Sequence, residues 1–194
     1  LECYSRRELR NLGIKTLIDL RASSETGRQS PLQKEFNVVH IPLATGDMKN
    51  ILKGIREEKI KSDTVYRMVE QMNRDLIDKY TTEYRQIFDI LLDKNSYPVV
   101  IHCSSGKGRT GIVSALVLAA LGINEDIIME DYRLSNDYFN IPSASKDAYQ
   151  LPARSQEAIT TLFSAREDFL NAAKEEAERR YGDIDSCLLY TSPS

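Results

Sequence analysis

The sequence predicts one α/β domain in which a mostly parallel central sheet is flanked by helices. Short apolar runs typical of strands alternate along the chain with segments of helical periodicity, and this alternation is typical of parallel sheets covered on both faces. The chain has 194 residues, of which 41% are apolar. That length and composition fit one globular domain with a buried core and exclude two large domains.

Three apolar runs are predicted to form the strands of this sheet. They comprise residues 14–20, 38–41 and 97–102. Pro42 closes the second run, and Pro98 stands near the start of the third, where a missing backbone amide is tolerated. We therefore expect three short, apolar strands.

Helical signals occupy the beginning of the chain and the regions between these runs. Ser5 and Glu8 match a capping box that predicts a short first helix, ending at Gly13. Apolar residues recur at helical spacing over residues 62–92. The segment 112–121 is apolar on nearly every side, so it predicts a buried helix.

The second half of the chain is predicted to be largely helical. Asn124 is a candidate cap for a helix that runs through Tyr132, and residues 140–154 read as a polar loop. An apolar stripe over residues 155–180, with Gly182 beyond it, predicts one long helix.

Charge and composition exclude several classes of partner. The 26 basic and 29 acidic side chains give a net charge of -3, so no global positive field is available to bind nucleic acid or an anionic membrane. The apolar run at 111–123 is too short to span a bilayer, so we expect no integral membrane segment. The three cysteines are too few for a disulfide framework. Because the chain has no global positive field, any anion site must be formed by a local group of residues.

The segment HCSSGKGRTG, residues 102–111, is the most informative part of the sequence, because it lies between a predicted strand and a predicted buried helix. Such a loop can curl so that successive amides point to one centre, next to the positive end of the helix. The glycines relieve the strain of the turn, and the planar guanidinium of an arginine can hold two phosphate oxygens. We predict a phosphate site that needs no metal, formed by Ser104, Ser105, Gly106, Lys107, Gly108 and Arg109.

Cys103 is predicted to be the nucleophile of this site. Amides and a helix N-terminus lower the pKa of a nearby thiol and favour the thiolate. A thiolate directed at phosphorus would form a cysteinyl-phosphate that water then hydrolyses. The alternative is that Cys103 is merely a small buried apolar residue.

The HCSSGKGRTG loop resembles the signature of the cysteine-dependent protein tyrosine phosphatases. Other segments are similar to the bacterial tyrosine phosphatase family that includes secreted lipid and protein phosphatases: IDLRASSE (18–25), IPL (41–43), TEYRQIF (82–88), LAALGINEDIIMEDYRLSN (118–136) and RRYGDID (179–185). The resemblance implies a protein tyrosine phosphatase-like fold and no cofactor. It also implies that residues 1–186 form a single phosphatase domain that is incomplete at both ends, and we expect residues 187–194 (CLLYTSPS) to be a non-native tail.

The loop departs from that family at one position. The family commonly has Asp before the loop arginine, where it can protonate the leaving group, but this chain has Gly108. The GKGR form resembles phosphoinositide and dual-specificity phosphatases, whose acid comes from a separate loop. Asp47 follows the second predicted strand and is our candidate general acid. The alternative is that Asp47 caps a helix that starts at Met48.

Four further side chains are candidates for supporting roles. The Thr110 hydroxyl could stabilise the thiolate as a leaving group or only bond the backbone, and by the resemblance His102 orders the loop. Lys107 could recruit polyanionic head groups or be an ordinary solvated lysine. Arg21 could border the phosphate, although we favour a scaffold in which it pairs with Glu25.

These features predict a phosphate-monoester hydrolase of the protein-tyrosine or dual-specificity type. Phosphoinositide hydrolysis is the alternative substrate class, and a catalytically weak phosphate-binding module or a rhodanese-like sulfur carrier are alternatives of other kinds. The expected partners are a phosphorylated protein or a phosphoinositide, with no nucleic acid. We expect a soluble monomer that is either cytoplasmic or secreted.

Overall fold

A small parallel sheet carries the site-bearing loops. A computed structural model of the chain describes residues 6–26, 31–141 and 148–191. Within this part of the chain, the sheet has three parallel strands in the order β2-β1-β3: β1 (Thr16–Asp19), β2 (Asn37–His40) and β3 (Val99–His102). The predicted strands and their α/β class are confirmed: β1 and β3 begin two residues inside their apolar runs, and β2 is shifted by one residue toward the N-terminus of its run.

Helices pack around the sheet and make up most of the described chain. They are α1 (Arg6–Asn11), α2 (Met48–Arg56), α3 (Ser62–Lys79), α4 (Thr81–Leu92), α5 (Gly108–Ala120), α6 (Glu125–Tyr138), α7 (Ala153–Leu162), α8 (Glu167–Tyr181) and α9 (Ile184–Thr191). No helix among the described residues is long and apolar enough to cross a membrane.

The central strand is buried on both faces, as expected for a parallel sheet. Leu17 packs with Leu9 and Phe36 on one face, while Ile18 belongs to the main core formed with α3, α4 and α5. A separate apolar cluster joins α2, α3 and α7. The sheet and α5 are therefore held rigidly from both sides.

Helix α5 begins earlier than its apolar pattern predicted. It starts at Gly108, within the phosphate-loop motif, and buries Ile112, Val113 and Leu116. Its packing on α6 is close, because a Cβ at Gly111 would lie 2.6 Å from the ring of Tyr132. The loop thus leads directly into a helix fixed by tight contacts.

The prediction of one long helix over residues 155–180 is wrong. The structure has α7 and α8 separated by residues 163–166. Asn136 of α6 accepts a bond from the amide of Ala165 at 2.8 Å and donates to its carbonyl at 2.9 Å. These hydrogen bonds from α6 replace those that a continuous helix would make within itself, and no local sequence pattern predicts them. The predicted stop at Gly182 is observed, with φ of 93°.

Helix α6 is longer than predicted, and some expectations lie outside the described residues. Asn124 caps α6 as expected, accepting from the amide of Ile127, but the helix continues to Tyr138. Ser5 of the expected capping box, Cys3, residues 142–147 of the expected loop and residues 192–194 are outside the described part. Within the described part of the expected tail, α9 buries Cys187 and Leu188 against the core; the non-native origin of residues 187–194 stays a prediction.

Candidate active site

The site lies at the carboxyl edge of the parallel sheet. Cys103 follows the end of β3, and residues 104–107 connect it to the first turn of α5. The segments that leave β1 and β2 arrive at the same edge, as is general for ligand sites of open α/β sheets. The fold therefore collects side chains from three distant parts of the sequence.

The sulfur of Cys103 lies inside the turn that this loop makes. Cys103 is 4% exposed, and its Sγ accepts a hydrogen bond from the amide of Gly106 at 3.3 Å. Burial alone would raise the pKa of the thiol. Contacts with Thr110, the charge of Arg109 and the amides of Thr110 and Gly106 outweigh burial and lower the pKa below its ordinary value.

Thr110 offers its hydroxyl to this sulfur. The hydroxyl oxygen is buried and has no well-formed hydrogen bond to another described group, yet it is near enough to Cys103 to contribute to the lowered pKa of the thiol. A buried hydroxyl without another partner remains available to donate to a thiolate. The position fits the functional one of the two roles predicted for Thr110.

The guanidinium of Arg109 is held by the carboxylate of Glu25. Its two terminal nitrogens donate to the two Glu25 oxygens at 2.6 and 2.9 Å. One of these nitrogens also lies 3.4 Å from the carbonyl oxygens of Leu20 and Leu43, which lie shortly after β1 and β2. A bidentate pair fixes the plane of the guanidinium as well as its position, so Arg109 is oriented before any ligand arrives.

Glu25 is itself held in place by two further donors. Its oxygens accept from the amide of Ala22 at 2.8 Å and from the Ser104 hydroxyl at 2.6 Å. Burial opposes the charged form, but the bonds from Arg109, Ser104 and Ala22 together lower the pKa of Glu25 to about 2. Glu25 is therefore an anion at neutral pH and ties the loop to the segment after β1.

The predicted pair between Arg21 and Glu25 is not formed. Arg21 instead donates to both oxygens of Asp19, at 2.9 Å and 2.7 Å, and its backbone amide also bonds Asp19. Asp19 ends β1 and is 5% exposed, so it is the nearer buried anion. Arg21 therefore pairs with a different carboxylate than predicted, which leaves Glu25 free to bind Arg109; its scaffolding role stays a prediction.

His102 is packed behind the nucleophile. Its Nδ1 lies 3.3 Å from the carbonyl oxygen of Cys103 and 3.9 Å from an Asp19 oxygen. Burial lowers the pKa of His102 in spite of the neighbouring carboxylate, so the ring is neutral at pH 7. This arrangement fits a residue that orders the loop.

Lys107 differs from both sequence expectations, which were a free cation for head groups and a solvated lysine. It is 7% exposed. Its ammonium donates to Asn136 Oδ1 at 2.9 Å and to the carbonyl of Phe163, and it lies 4.7 Å from the centre of the Phe139 ring. Burial lowers its pKa to about 8. The side chain is committed to neighbouring helices, a packing that the motif does not reveal.

A narrow cleft with apolar walls opens above Cys103. Its apolar walls come from α3, from Tyr132 of α6, and from the end of α7 with the residues that follow it. The lining residues are Val69, Met72, Asn73, Leu76, Tyr132, Leu162, Phe163 and Ser164, together with Thr45 and Met48 and with Cys103, Ser105, Lys107, Gly108 and Arg109 of the loop and the start of α5. The walls suit an apolar group attached to an anion.

Asp47 caps α2 and lies, in the sequence, between two residues that line the cleft. Its carboxylate accepts from the amide of Asn50 at 3.1 Å and from the Asn50 side chain at 2.7 Å. Its neighbours Thr45 and Met48 line the cleft. The capping alternative is therefore observed, and the role of Asp47 as general acid stays a prediction.

The sequence alone does not identify two residues that support the site. Glu25 was assigned to the wrong arginine, and Asn136, whose amide holds both Lys107 and Ala165, had no assigned chemistry. Both lie in segments that resemble the family, at 18–25 and 118–136. Their partners are 84 and 29 residues away, so only the fold identifies them.

We predict that replacing Glu25 with Gln lowers the free energy of unfolding at pH 7 by about 1–2 kcal/mol, because charge-assisted bonds of a partly exposed side chain are lost. A carboxylate with a depressed pKa stabilises the fold above its unfolded-state pKa, and this stabilisation is lost as the pH falls through the folded-state pKa. The difference between wild type and Glu25→Gln should therefore be full above about pH 5 and vanish near pH 2, the folded-state pKa.

Urea unfolding at a series of pH values measures this difference. Glu157→Gln on the exposed face of α7 is the matched control, since residue 157 is exposed. If wild type and Glu25→Gln differed in free energy of unfolding by the same amount from pH 7 to pH 2, the charge of Glu25 would not be what stabilises the fold.

Comparison with known proteins agrees with this geometry. The model of the tyrosine phosphatase family matches residues 3–191. The chain is 28% identical over 239 residues to the triple specificity protein phosphatase PtpB of Mycobacterium tuberculosis, an alignment that covers 97% of this chain and 80% of the relative.

Two further relatives give the same result over shorter shares of their length. A Cupriavidus necator protein classed with the tyrosine-protein phosphatases is 25% identical over 186 residues, 93% of this chain and 66% of the relative. A tyrosine-protein phosphatase of Nostoc commune is 26% identical over 136 residues, 69% of this chain and 44% of the relative. With a family match over nearly its whole length, the chain belongs to the tyrosine phosphatase family and is a cysteine-dependent phosphatase.

Proposed function

We propose that the chain hydrolyses aryl phosphate monoesters, phosphotyrosine in proteins above all, through a phosphocysteine formed on Cys103. The observation that carries the proposal is the sulfur of Cys103 at the base of an apolar cleft, with Gly106, Thr110 and Arg109 lowering the pKa of its thiol. A lowered pKa increases the fraction of thiolate, which is the form that attacks phosphorus.

In the first step, the phosphate dianion enters the loop at residues 104–109. The amides of the loop, the N-terminus of α5 and Arg109 neutralise its charge. The Cys103 thiolate then attacks phosphorus, an S–P bond forms, and the P–O bond to the leaving group breaks. The leaving oxygen takes a proton from a general acid, for which Asp47 is our candidate.

In the second step, water attacks the phosphorus of the phosphocysteine. The general acid deprotonated in the first step takes a proton from this water, the S–P bond breaks, inorganic phosphate leaves, and the sulfur returns as a thiolate. The Thr110 hydroxyl, buried beside the sulfur without a well-formed partner, would donate to this leaving thiolate. The preorganised Arg109 serves both steps, because Glu25 holds its guanidinium throughout.

The cleft walls favour an aryl ester over an inositol phosphate. Val69, Met72 and Leu76 of α3 line the cleft together with Leu162 and Phe163, and such apolar surfaces gain free energy by covering a phenyl ring. An inositol ring carries hydroxyls that would lose their water in the same place without compensating bonds. The Lys107 ammonium, which could have recruited such a polyanion, is already bound to Asn136 and Phe163.

A panel of substrates tests the proposal on the intact chain. We expect turnover of para-nitrophenyl phosphate and of a phosphotyrosine peptide, with lower kcat/KM for a phosphoserine peptide and for a phosphoinositide. Cys103→Ser should abolish turnover, and a labelled phosphoryl group should be trapped on the wild-type protein by rapid acid quench.

Cys187→Ser is the matched control, since Cys187 is a second buried cysteine in α9, and it should retain turnover and trapping. Phosphate binding without turnover by the wild type would indicate the weak phosphate-binding module instead. A preference for the phosphoinositide would contradict the aryl substrate class.

Replacing Asp47 with Asn tests the general acid separately from the helix cap, because Asn also caps helices well. We expect turnover of substrates with poor leaving groups to fall by about 10²–10⁴-fold, the usual contribution of general acid catalysis. Para-nitrophenyl phosphate, whose leaving group needs less protonation, should be affected far less.

Gly108→Asp provides a second arm of this experiment. A side chain at position 108 would have no heavy atom within 4 Å of its Cβ, so the family's usual Asp fits there. Added to Asp47→Asn, it should restore part of the turnover of poor leaving groups. Equal losses for good and poor leaving groups in Asp47→Asn would show that Asp47 is not the acid.

A further inference from the structure

The phosphate loop contains a buried lysine whose contacts all lead out of the loop. The Lys107 ammonium is bonded to Asn136 of α6 at 2.9 Å and to the carbonyl of Phe163, just after α7. It also lies over the ring of Phe139, just after α6, at 4.7 Å. These are neutral groups, so the ammonium contributes its three donors and its attraction to the ring rather than an ion pair.

The same asparagine fixes the turn between α7 and α8. Asn136 bonds the amide and the carbonyl of Ala165, while Phe163 stacks on Phe139 with ring centroids 5.3 Å apart. Lys107 and Asn136 thus hold residues 163 and 165 through their backbones. This turn interrupts a segment whose apolar pattern predicts a continuous helix, so its position depends on these bonds.

The turn that they hold is one wall of the cleft. Leu162, Phe163 and Ser164 line the same cleft as Cys103, together with Val69 and Met72 of α3. A shift of residue 163 would widen the cleft without moving the sulfur, which is fixed by Gly106. The side chain of Lys107 therefore connects the phosphate loop to the turn that sets the width of the cleft.

We propose that Lys107 is a positioning residue that sets the wall of the substrate cleft by holding the turn at residues 163–166, and thereby selects esters with a flat aryl group. The inference rests on the proposed function, since it concerns the part of the substrate beyond the phosphate. Lys107 acts on the wall through its side chain, while its backbone contributes to the phosphate loop.

Binding to Cys103→Ser protein separates the wall from the phosphate loop. In this background, Lys107→Met should weaken binding of a phosphotyrosine peptide by about tenfold, roughly the value of a lost charge-assisted hydrogen bond. Binding of inorganic phosphate should weaken by a smaller factor than binding of the peptide. In the active protein, the same substitution should raise KM for the peptide more than it raises KM for a small alkyl phosphate.

Two other variants make the result specific. Asn136→Ala removes the hydrogen bonds of the same turn from the α6 side and should weaken peptide binding as Lys107→Met does. In the double variant, the loss of affinity should be smaller than the sum of the two single losses. Lys174→Met is the matched control, because Lys174 also ties α8 to α6, through Glu125 at 2.6 Å, but lies outside the cleft lining. It should leave both affinities unchanged, and thermal unfolding should show that all variants are folded.

Each other outcome overturns the inference. Equal weakening of peptide and inorganic phosphate would make Lys107 an anion ligand, and unchanged affinities in Lys107→Met and Asn136→Ala would remove its role in the wall. A wild-type protein that binds inorganic phosphate but neither binds nor hydrolyses the phosphotyrosine peptide would overturn the proposed substrate class first, and the inference with it.

Discussion

The structure depends on a local concentration of positive charge and hydrogen-bond donors around one buried sulfur. Burial opposes the thiolate of Cys103, and the amide of Gly106, the Thr110 hydroxyl and the Arg109 charge must outweigh that opposition. A loop alone cannot keep these groups in place. The surrounding parallel sheet and the buried α5 do so, because β3 and α5 fix both ends of the loop.

A second layer of contacts keeps the loop in working geometry. Glu25 holds the guanidinium of Arg109 from the segment after β1, and Lys107 ties the loop to α6 and to the turn after α7. The first contact orients the group that would meet the phosphate, and the second positions the wall that would meet the rest of the substrate. We therefore propose that different side chains of one short loop, Arg109 and Lys107, serve the binding of charge and the selection of shape.

The sequence predicts the core of this arrangement and misses its supports, for physical reasons. The phosphate loop is a contiguous run whose geometry follows from local turns, glycines and the start of a helix, and the three strands follow from short apolar runs. The pair of Glu25 with Arg109 spans 84 residues, so local spacing cannot select it over Arg21. The break at residues 163–166 forms because Asn136 supplies bonds that a continuous helix would otherwise make internally, a tertiary effect that overrides periodicity.

The most direct measurement is the pH dependence of alkylation of Cys103 by iodoacetamide, followed by mass spectrometry of its peptide. Cys187 provides an internal reference, since burial raises the pKa of its thiol to about 11. We expect the rate at Cys103 to reach half its maximum well below pH 8.5, the value near which an ordinary thiol titrates, while Cys187 stays slow over that range. A Cys103 rate that rises only near pH 8.5 or above would contradict a stabilised thiolate and the phosphatase mechanism built on it.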